Sequence, residues 1–195
     1  MNNTRSSQIL ATVAVLCLCV LLGCRDSAMR QSGPLAPVAG ADDKAEEAQG
    51  PHYAGLIEEY RRVLSEDPSN LAALIGLGNA YYDSGNWRKA AEVYERALAR
   101  DPHNADLRTD MGTAYRNMGM TERAIVEYHL ALEHQPGHLN ARYNLGVVYA
   151  HDRKDFPAAI RAWEEILKMA PNSPQAEQIR SSITVMKKRL LKEAR

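Results

Sequence analysis

From residue 51 onward, apolar residues recur at spacings of three and four, and polar or charged residues fill the positions between them. This period is that of amphipathic helices rather than strands. Short breaks that contain Gly, Pro or Asn separate the periodic segments. The pattern predicts an all-α region of about eight helices between residue 51 and the C-terminus.

The helical region repeats itself with a period of thirty-four residues. The stretch LGNAYYDSGNWRKAAEVYERALARDPHN (77–104) aligns with MGTAYRNMGMTERAIVEYHLALEHQPGH (111–138), and LGVVYAHDRKDFPAAIRAWEEILKMAPNS (145–173) follows with one extra residue in its central turn. A fixed period of this length indicates stacked helix hairpins. We expect Gly85 and Gly119 to close first helices in the left-handed conformation, and Asp155 to cap a second helix.

The repeated positions resemble the tetratricopeptide repeat, whose signature is L-G-x2-Y followed by Ala, an aromatic residue and Pro. The three copies carry it at Leu77, Gly78, Tyr81, Ala90, Tyr94 and Pro102, at Met111, Gly112, Tyr115, Ala124, Tyr128 and Pro136, and at Leu145, Gly146, Tyr149, Ala159, Trp163 and Pro171. Arg108 and Arg142 depart from it, because a bulky apolar residue is usual there. The resemblance implies an α-solenoid of helix hairpins with repeats at 71–104, 105–138 and 139–173.

Small residues and tyrosines have complementary places in this repeat. Gly78 and Gly112 are expected to let the two helices of a hairpin approach closely. The tyrosines are expected to fill the gaps between hairpins.

Two further segments flank the three repeats. Residues 51–70 align with a second helix that lacks its first helix, and we expect the helix at 52–66 to leave Leu56, Ile57, Val63 and Leu64 uncovered. A second copy of the chain could cover them, which makes a homodimer through residues 52–66 an alternative. Residues 174–195 place Ala176, Ile179, Ile183, Met186 and Leu190 on one face, the profile of a capping helix.

The N-terminal apolar run ends at a cysteine. Ile9–Gly23 comprises fifteen residues, whereas a spanning helix takes about 20, and Arg5 precedes the run. This is the profile of a signal peptide at 1–23. Leu21-Leu22-Gly23-Cys24 resembles the lipobox of bacterial lipoproteins, which implies lipidation of Cys24 after cleavage. An uncleaved anchor and an ordinary secretory signal remain alternatives.

Residues 24–50 comprise the lipidated cysteine and a linker. Residues 25–50 are rich in small, polar, Pro and Gly residues and contain few large apolar ones, which predicts a disordered, flexible tether. Arg25, rather than Asp, follows Cys24, which by resemblance to Gram-negative lipoproteins favours the outer membrane, facing the periplasm. These features predict a lipid-anchored protein of the bacterial cell envelope.

Charge and motifs argue against several classes of function. The 24 basic and 24 acidic side chains balance, so no global field attracts nucleic acid. His134 and His138 have ligand-like spacing but lie around Pro136 and Gly137 without a further Cys or His cluster, and no catalytic or cofactor motif is recognisable. We therefore predict neither enzyme activity, nor a metal, nor a cofactor.

In the family, first-helix residues of successive repeats line a concave groove that receives a partner peptide or helix. The resemblance assigns this role to Ile75, Asn79, Tyr82 and Asp83, to Thr109, Thr113, Arg116 and Asn117, and to Asn140, Tyr143, Val147 and His151. The mix of Ile75, Tyr82, Tyr143 and Val147 with few charged residues favours a mostly apolar, amphipathic ligand. The expected function is a lipid-anchored adaptor or scaffold, in pilus or secretion assembly or in a cell-wall machine. The alternative is a self-associating structural lipoprotein.

Overall fold

The structure is a computed structural model that describes residues 51–194, with side chains from residue 53 onward. Within this range it contains eight α-helices and no strand. The helices are α1 (Pro51–Glu66), α2 (Leu71–Asp83), α3 (Trp87–Leu98), α4 (Ala105–Asn117), α5 (Thr121–His134), α6 (Leu139–Val147), α7 (Phe156–Met169) and α8 (Ala176–Glu193). A π-helical segment, Val148–Asp152, continues α6. The all-α solenoid expected from the sequence is confirmed.

Each helix packs against the next one along the chain. The pairs α2–α3, α4–α5 and α6–α7 are the three hairpins, and α4 also contacts α6, so that first helices of successive hairpins lie side by side. One cluster of buried apolar residues extends from α1 into α6, and a second joins the π segment, α7 and α8. Stacking therefore buries faces that no single hairpin could bury alone.

A glycine in each first helix accommodates an aromatic ring from the second helix of the same hairpin. A Cβ atom on Gly78 would lie 2.5 Å from Tyr94 Cε1, one on Gly112 would lie 2.8 Å from Tyr128 Cε1, and one on Gly146 would lie 2.2 Å from Trp163 Nε1. Tyr94 and Tyr128 therefore contact the first helix of their own hairpin, and the expected packing between hairpins stays a prediction. The missing side chain leaves room for the ring inside the hairpin, so glycine and ring act as one unit.

The turns of the first two hairpins follow the sequence-based prediction. Gly85 and Gly119 have φ angles of 81° and 74°. The N–H groups of Gly85 and Asn86 donate to the carbonyls of Tyr82 and Tyr81 at 3.0 and 2.9 Å. This is the Schellman arrangement that ends a helix at a left-handed residue.

The N-terminal helix α1 corrects one prediction. Ile57 and Leu64 are only 3% and 8% exposed, so they belong to the core instead of being uncovered. Leu56 and Val63 are half-buried. A second helix of this repeat packs on the following hairpin as well as on its own first helix, and α1 packs on α2. The surface that the self-association alternative needs is smaller than expected.

The C-terminal helix α8 has the predicted buried face. Ala176, Ile179, Ile183 and Met186 are buried, and Leu190 packs partly buried against the same cluster. None of the helices within residues 51–194 is long and apolar enough to cross a membrane. The predicted signal peptide, Cys24 and the linker lie outside the described residues.

Candidate protein-binding surface

The predicted binding residues lie on the first helices α2, α4 and α6 and, for His151, on the π segment that continues α6. We call the surface that these elements form the first-helix surface. Asp83, Asn140 and His151 are exposed, whereas Ile75, Asn79, Tyr82, Thr113, Arg116, Asn117, Tyr143 and Val147 are half-buried. Thr109 differs, because it is 4% exposed and its hydroxyl donates to the carbonyl of Ala105. Thr109 therefore packs inside α4 and contributes no ligand-facing surface.

Hydrogen bonds join first helices of neighbouring repeats across this surface. Asn117 Nδ2 donates to the hydroxyl of Tyr82 at 3.1 Å, which links α4 to α2. Asn144 Nδ2 donates to Thr113 Oγ1 at 3.3 Å, which links α6 to α4. Asn144 was not among the predicted residues. The only signal in the sequence was its position next to Tyr143. The role of Asn144 depends on the direction of its side chain, which the sequence does not specify.

An ion pair makes a further link between the second and third repeats. Arg116 Nε and Nη2 donate to the two carboxylate oxygens of Asp152 at 2.6 and 3.1 Å. The side chains are only 12% and 24% exposed, and the bidentate geometry is the stronger kind of charge-assisted hydrogen bond. Asp152 was missed from the sequence, because it belongs to the π segment that the extra residue of the third repeat creates.

Other bonds fix the surface to the second helices behind it. Tyr94 donates its hydroxyl to Asn79 Oδ1 at 2.8 Å, and the hydroxyls of Tyr128 and Thr113 lie 3.2 Å apart. Burial raises the pKa of Tyr128 above its ordinary value, so its hydroxyl stays protonated. The polar atoms of the surface are thus held in place before any ligand arrives, which lowers the ordering cost of binding.

The end of the surface in the third repeat is aromatic. The rings of Tyr143 and Trp163 stack with centroids 6.0 Å apart, and Trp163 Nε1 donates to the carbonyl of Tyr143 at 3.1 Å. The pKa of His151 is lowered, first by burial and then by the charges of Arg116 and Lys154. A neutral imidazole at neutral pH follows.

The histidines considered as metal ligands have other contacts. His138 Nδ1 accepts the N–H of Ala141 at 3.0 Å, and its Nε2 lies 2.9 Å from Asp106 Oδ1. His134 Nδ1 lies 3.2 Å from His103 Nδ1. Within the described part of the chain, no group of three or more His, Cys, Asp or Glu residues is arranged to hold a metal ion. His138 is a helix cap, a role that the sequence reasoning missed.

Comparison with protein-family models agrees with this geometry. Tetratricopeptide-repeat models match residues 41–94 and 109–176, and a TPR-repeat model matches residues 78–119. The helical region is therefore an α-solenoid of tetratricopeptide repeats. Such repeats define a protein–protein interaction adaptor or scaffold, and proteins built from them are typically not enzymes.

Solved structures with the same fold include two described as crystal structures of MamA. The first is 26% identical with a TM-score of 0.62 and covers 75% of this chain and 84% of the MamA chain. The second is 25% identical with a TM-score of 0.60 and covers 72% and 82%. A tetratricopeptide repeat protein from Parabacteroides merdae, 23% identical with a TM-score of 0.63, covers 70% of this chain and 54% of its own and shows the fold alone. No curated protein sequence matches the chain.

Proposed function

We propose that this protein is a lipid-anchored adaptor of the bacterial cell envelope that binds a partner peptide or helix on its first-helix surface. The observation that carries the proposal is the set of lateral bonds, Tyr82–Asn117, Thr113–Asn144 and Arg116–Asp152, which hold three first helices as one continuous platform. A preorganised platform with half-buried apolar and amide groups suits an amphipathic chain segment. Assembly of a pilus, a secretion system or a cell-wall machine is the setting we favour.

The adaptor is preferred to a self-associating structural lipoprotein. That alternative relied on four uncovered residues of α1, and two of them are in the core. The remaining half-buried pair, Leu56 and Val63, is a small patch compared with the roughly 800 Å² per partner of a stable interface. The molar mass of the full chain in mild detergent, measured by light scattering and corrected for bound detergent, distinguishes an adaptor from a self-associating lipoprotein. A protein mass that stays monomeric at every concentration supports the adaptor.

The binding face is tested by photocrosslinking in cells. A photoreactive amino acid replaces the exposed Asn140 on α6, and in a matched control it replaces Val126, which is 54% exposed on the second helix α5. We expect a discrete protein adduct from position 140 and none of the same mass from position 126. Equal adducts from both positions would show that contact is not confined to the first-helix surface.

The anchor is tested separately. Cys24→Ser is expected to abolish metabolic incorporation of a fatty-acid analogue and to release the protein from the membrane fraction. Cys19→Ser, inside the same apolar run, is the matched control and should leave both unchanged. Incorporation that persists in Cys24→Ser would contradict lipidation at this residue.

A further inference from the structure

The third hairpin and the capping helix form an open groove of about 330 Å³ between the π segment, α7 and α8, which we call the terminal pocket. It adjoins the first-helix surface through His151, which lines both. The buried rings of Phe156 and Trp163 and the side chain of Met186 form its apolar part. Val185, which is 64% exposed, also lines it.

The ionisable side chains that line the terminal pocket are all basic. Lys154 and Arg189 line it together with His151, whereas no carboxylate does. The Arg189 guanidinium lies 4.9 Å from the centroid of the Phe156 ring, which places the positive charge next to the apolar wall. An apolar cavity with a cationic rim complements an apolar side chain with a carboxylate beside it.

The carboxylates of the neighbouring segments are already engaged. Asp152 accepts hydrogen bonds from Nε and Nη2 of Arg116, and Asp155 Oδ1 accepts the N–H of Ala158 at 2.9 Å as the cap of α7. Glu193 pairs with Arg189 at 2.9 Å, but both side chains are more than half exposed, so the pair is weak and readily exchanged. The positive rim is therefore available to an incoming carboxylate.

Two backbone irregularities meet at this pocket. The π segment Val148–Asp152 replaces the last helical turn, and Lys154 has a φ of 56°, the only positive value among non-glycine residues of the described chain. Such features carry a cost and persist where the surroundings or a function retain them. Here they place His151 and Lys154 on the wall of the cavity, an arrangement that the first two repeats lack.

We propose that the terminal pocket receives a large apolar side chain of the partner peptide, while Lys154 and Arg189 bind an acidic residue next to it. The inference rests on the proposed peptide-binding role of the first-helix surface and specifies the chemistry of the peptide at one end. The peptide would then have a fixed direction, with its acidic, apolar pair at the α8 end. Charge complementarity, rather than exposed apolar area alone, selects this occupant.

A random twelve-residue peptide library displayed on phage tests the proposal with the full chain in mild detergent. We expect the enriched peptides to share a large apolar residue adjacent to Asp or Glu. Lys154→Glu with Arg189→Glu should weaken an enriched synthetic peptide at least tenfold, and selection on this variant should replace the acidic residue by Lys or Arg. Lys188→Glu with Lys192→Glu makes the same charge change outside the pocket and should alter affinity less than twofold.

Val185→Asp keeps the test independent of the charge-reversed variant, because the exposed Val185 can be replaced with little effect on folding. It should also weaken the peptide at least tenfold, while the helical melting curve is unchanged. Peptides that crosslink to position 140 yet bind Val185→Asp and the charge-reversed variant normally would overturn the pocket and leave the proposed function standing. A library that yields no binding peptide would count against both.

Discussion

In the first two hairpins a glycine closes the first helix, whereas in the third a π-helical segment and a left-handed lysine do so. Tyr81 and Tyr115 accept the N–H groups of Asn86 and Met120, each five residues later, at 2.9 and 2.8 Å. Tyr149 accepts the N–H of Asp155, six residues later, at 2.8 Å. The third hairpin thus forms the same hydrogen bond although its turn is one residue longer, and α7 begins at the place in the repeat where α3 and α5 begin.

The difference teaches how a solenoid absorbs an insertion. The third hairpin keeps the close approach of a first-helix glycine to a second-helix ring, at Gly146 and Trp163, and Asp155 caps α7 as Asn86 caps α3. The extra residue is accommodated in between, where the π segment widens the helix and Lys154 takes the place of a glycine. The insertion therefore changes the surface and not the stacking.

The largest effect is expected at the glycines that hold the hairpins together. Gly146→Ala would place a Cβ atom 2.2 Å from Trp163 Nε1, and Gly112→Ala would place one 2.8 Å from Tyr128 Cε1. Because both rings are buried, overpacking should cost about 1–3 kcal/mol of unfolding free energy, more at Gly146 than at Gly112. Urea denaturation measures both.

The matched control for these substitutions is Gly55→Ala in α1. No atom lies within 4 Å of a Cβ there, so alanine should stabilise the helix by about 0.5–1 kcal/mol. If Gly146→Ala behaves like Gly55→Ala, the third hairpin does not depend on the close approach of its helices.

The second effect concerns one position of the repeat occupied by Leu74, Arg108 and Arg142. Leu74 is buried, whereas Arg108 donates from Nη1 to Glu127 at 3.0 Å, with both side chains less than one-fifth exposed. Arg108 also donates to the carbonyl of Pro102 at 2.9 Å, and Arg142 donates to the corresponding carbonyl of Pro136 at 2.6 Å. Arg108→Ala would leave a buried carboxylate without its ion-pair partner and should cost about 1–3 kcal/mol, more than Arg142→Ala. Chemical denaturation of both variants is the measurement.

The destabilisation by Arg108→Ala is expected to depend on pH. Burial raises the pKa of Glu127, and Arg108 partly opposes the shift. A carboxyl group whose pKa is raised in the folded state binds more protons there than in the unfolded state. The stability of the fold therefore falls as the pH rises above the ordinary pKa of that carboxyl group. Removing Arg108 raises that pKa further, so the cost of Arg108→Ala should shrink between pH 7 and pH 5. A cost independent of pH would contradict the role of Glu127.

The repeat spacing, the left-handed glycines, the Asp155 cap and the buried face of α8 all followed from local pattern. They could be predicted because each depends on residue type at a fixed distance along one or two helices. The links Asn144–Thr113 and Arg116–Asp152 depend on side-chain directions across two hairpins, which no local pattern specifies. The burial of Ile57 was missed because alignment to a second helix emphasised its absent partner rather than α2.

The third effect concerns the turns themselves. Gly119→Ala forces a Cβ atom into a φ of 74° and should cost about 1–2 kcal/mol. Lys154→Gly relieves the equivalent strain and should stabilise the protein by up to about 1 kcal/mol, less any entropy gained by the unfolded chain. Thermal unfolding of both variants in one buffer tests the opposite signs. Destabilisation by Lys154→Gly would indicate that the lysine side chain itself supports the turn.

The smallest effect concerns the caps of the first helices. Asn70 and Asn104 cap α2 and α4 by accepting an N–H three residues later, at 3.0 Å in each case, and His138 does the same for α6 with Nδ1. Because Nδ1 is the acceptor, Nε2 carries a proton and donates to Asp106, whose pKa this hydrogen bond lowers. The Asp106 side chain is 84% exposed, so the pair itself contributes little.

His138→Asn keeps a capping acceptor and loses only the bond to Asp106, so we expect a change within about 0.5 kcal/mol, whereas His138→Ala should cost about 1 kcal/mol. The lowered pKa of Asp106 adds a stability that is present above its ordinary value and is lost as pH falls through the folded-state pKa. The advantage that the bond to Asp106 gives wild type over His138→Asn should therefore be lost in strong acid, as urea midpoints measured from pH 7 down to pH 2 would show. If His138→Asn costs as much as His138→Ala at pH 7, the contact with Asp106, and not the cap, is what the third repeat gains from its histidine.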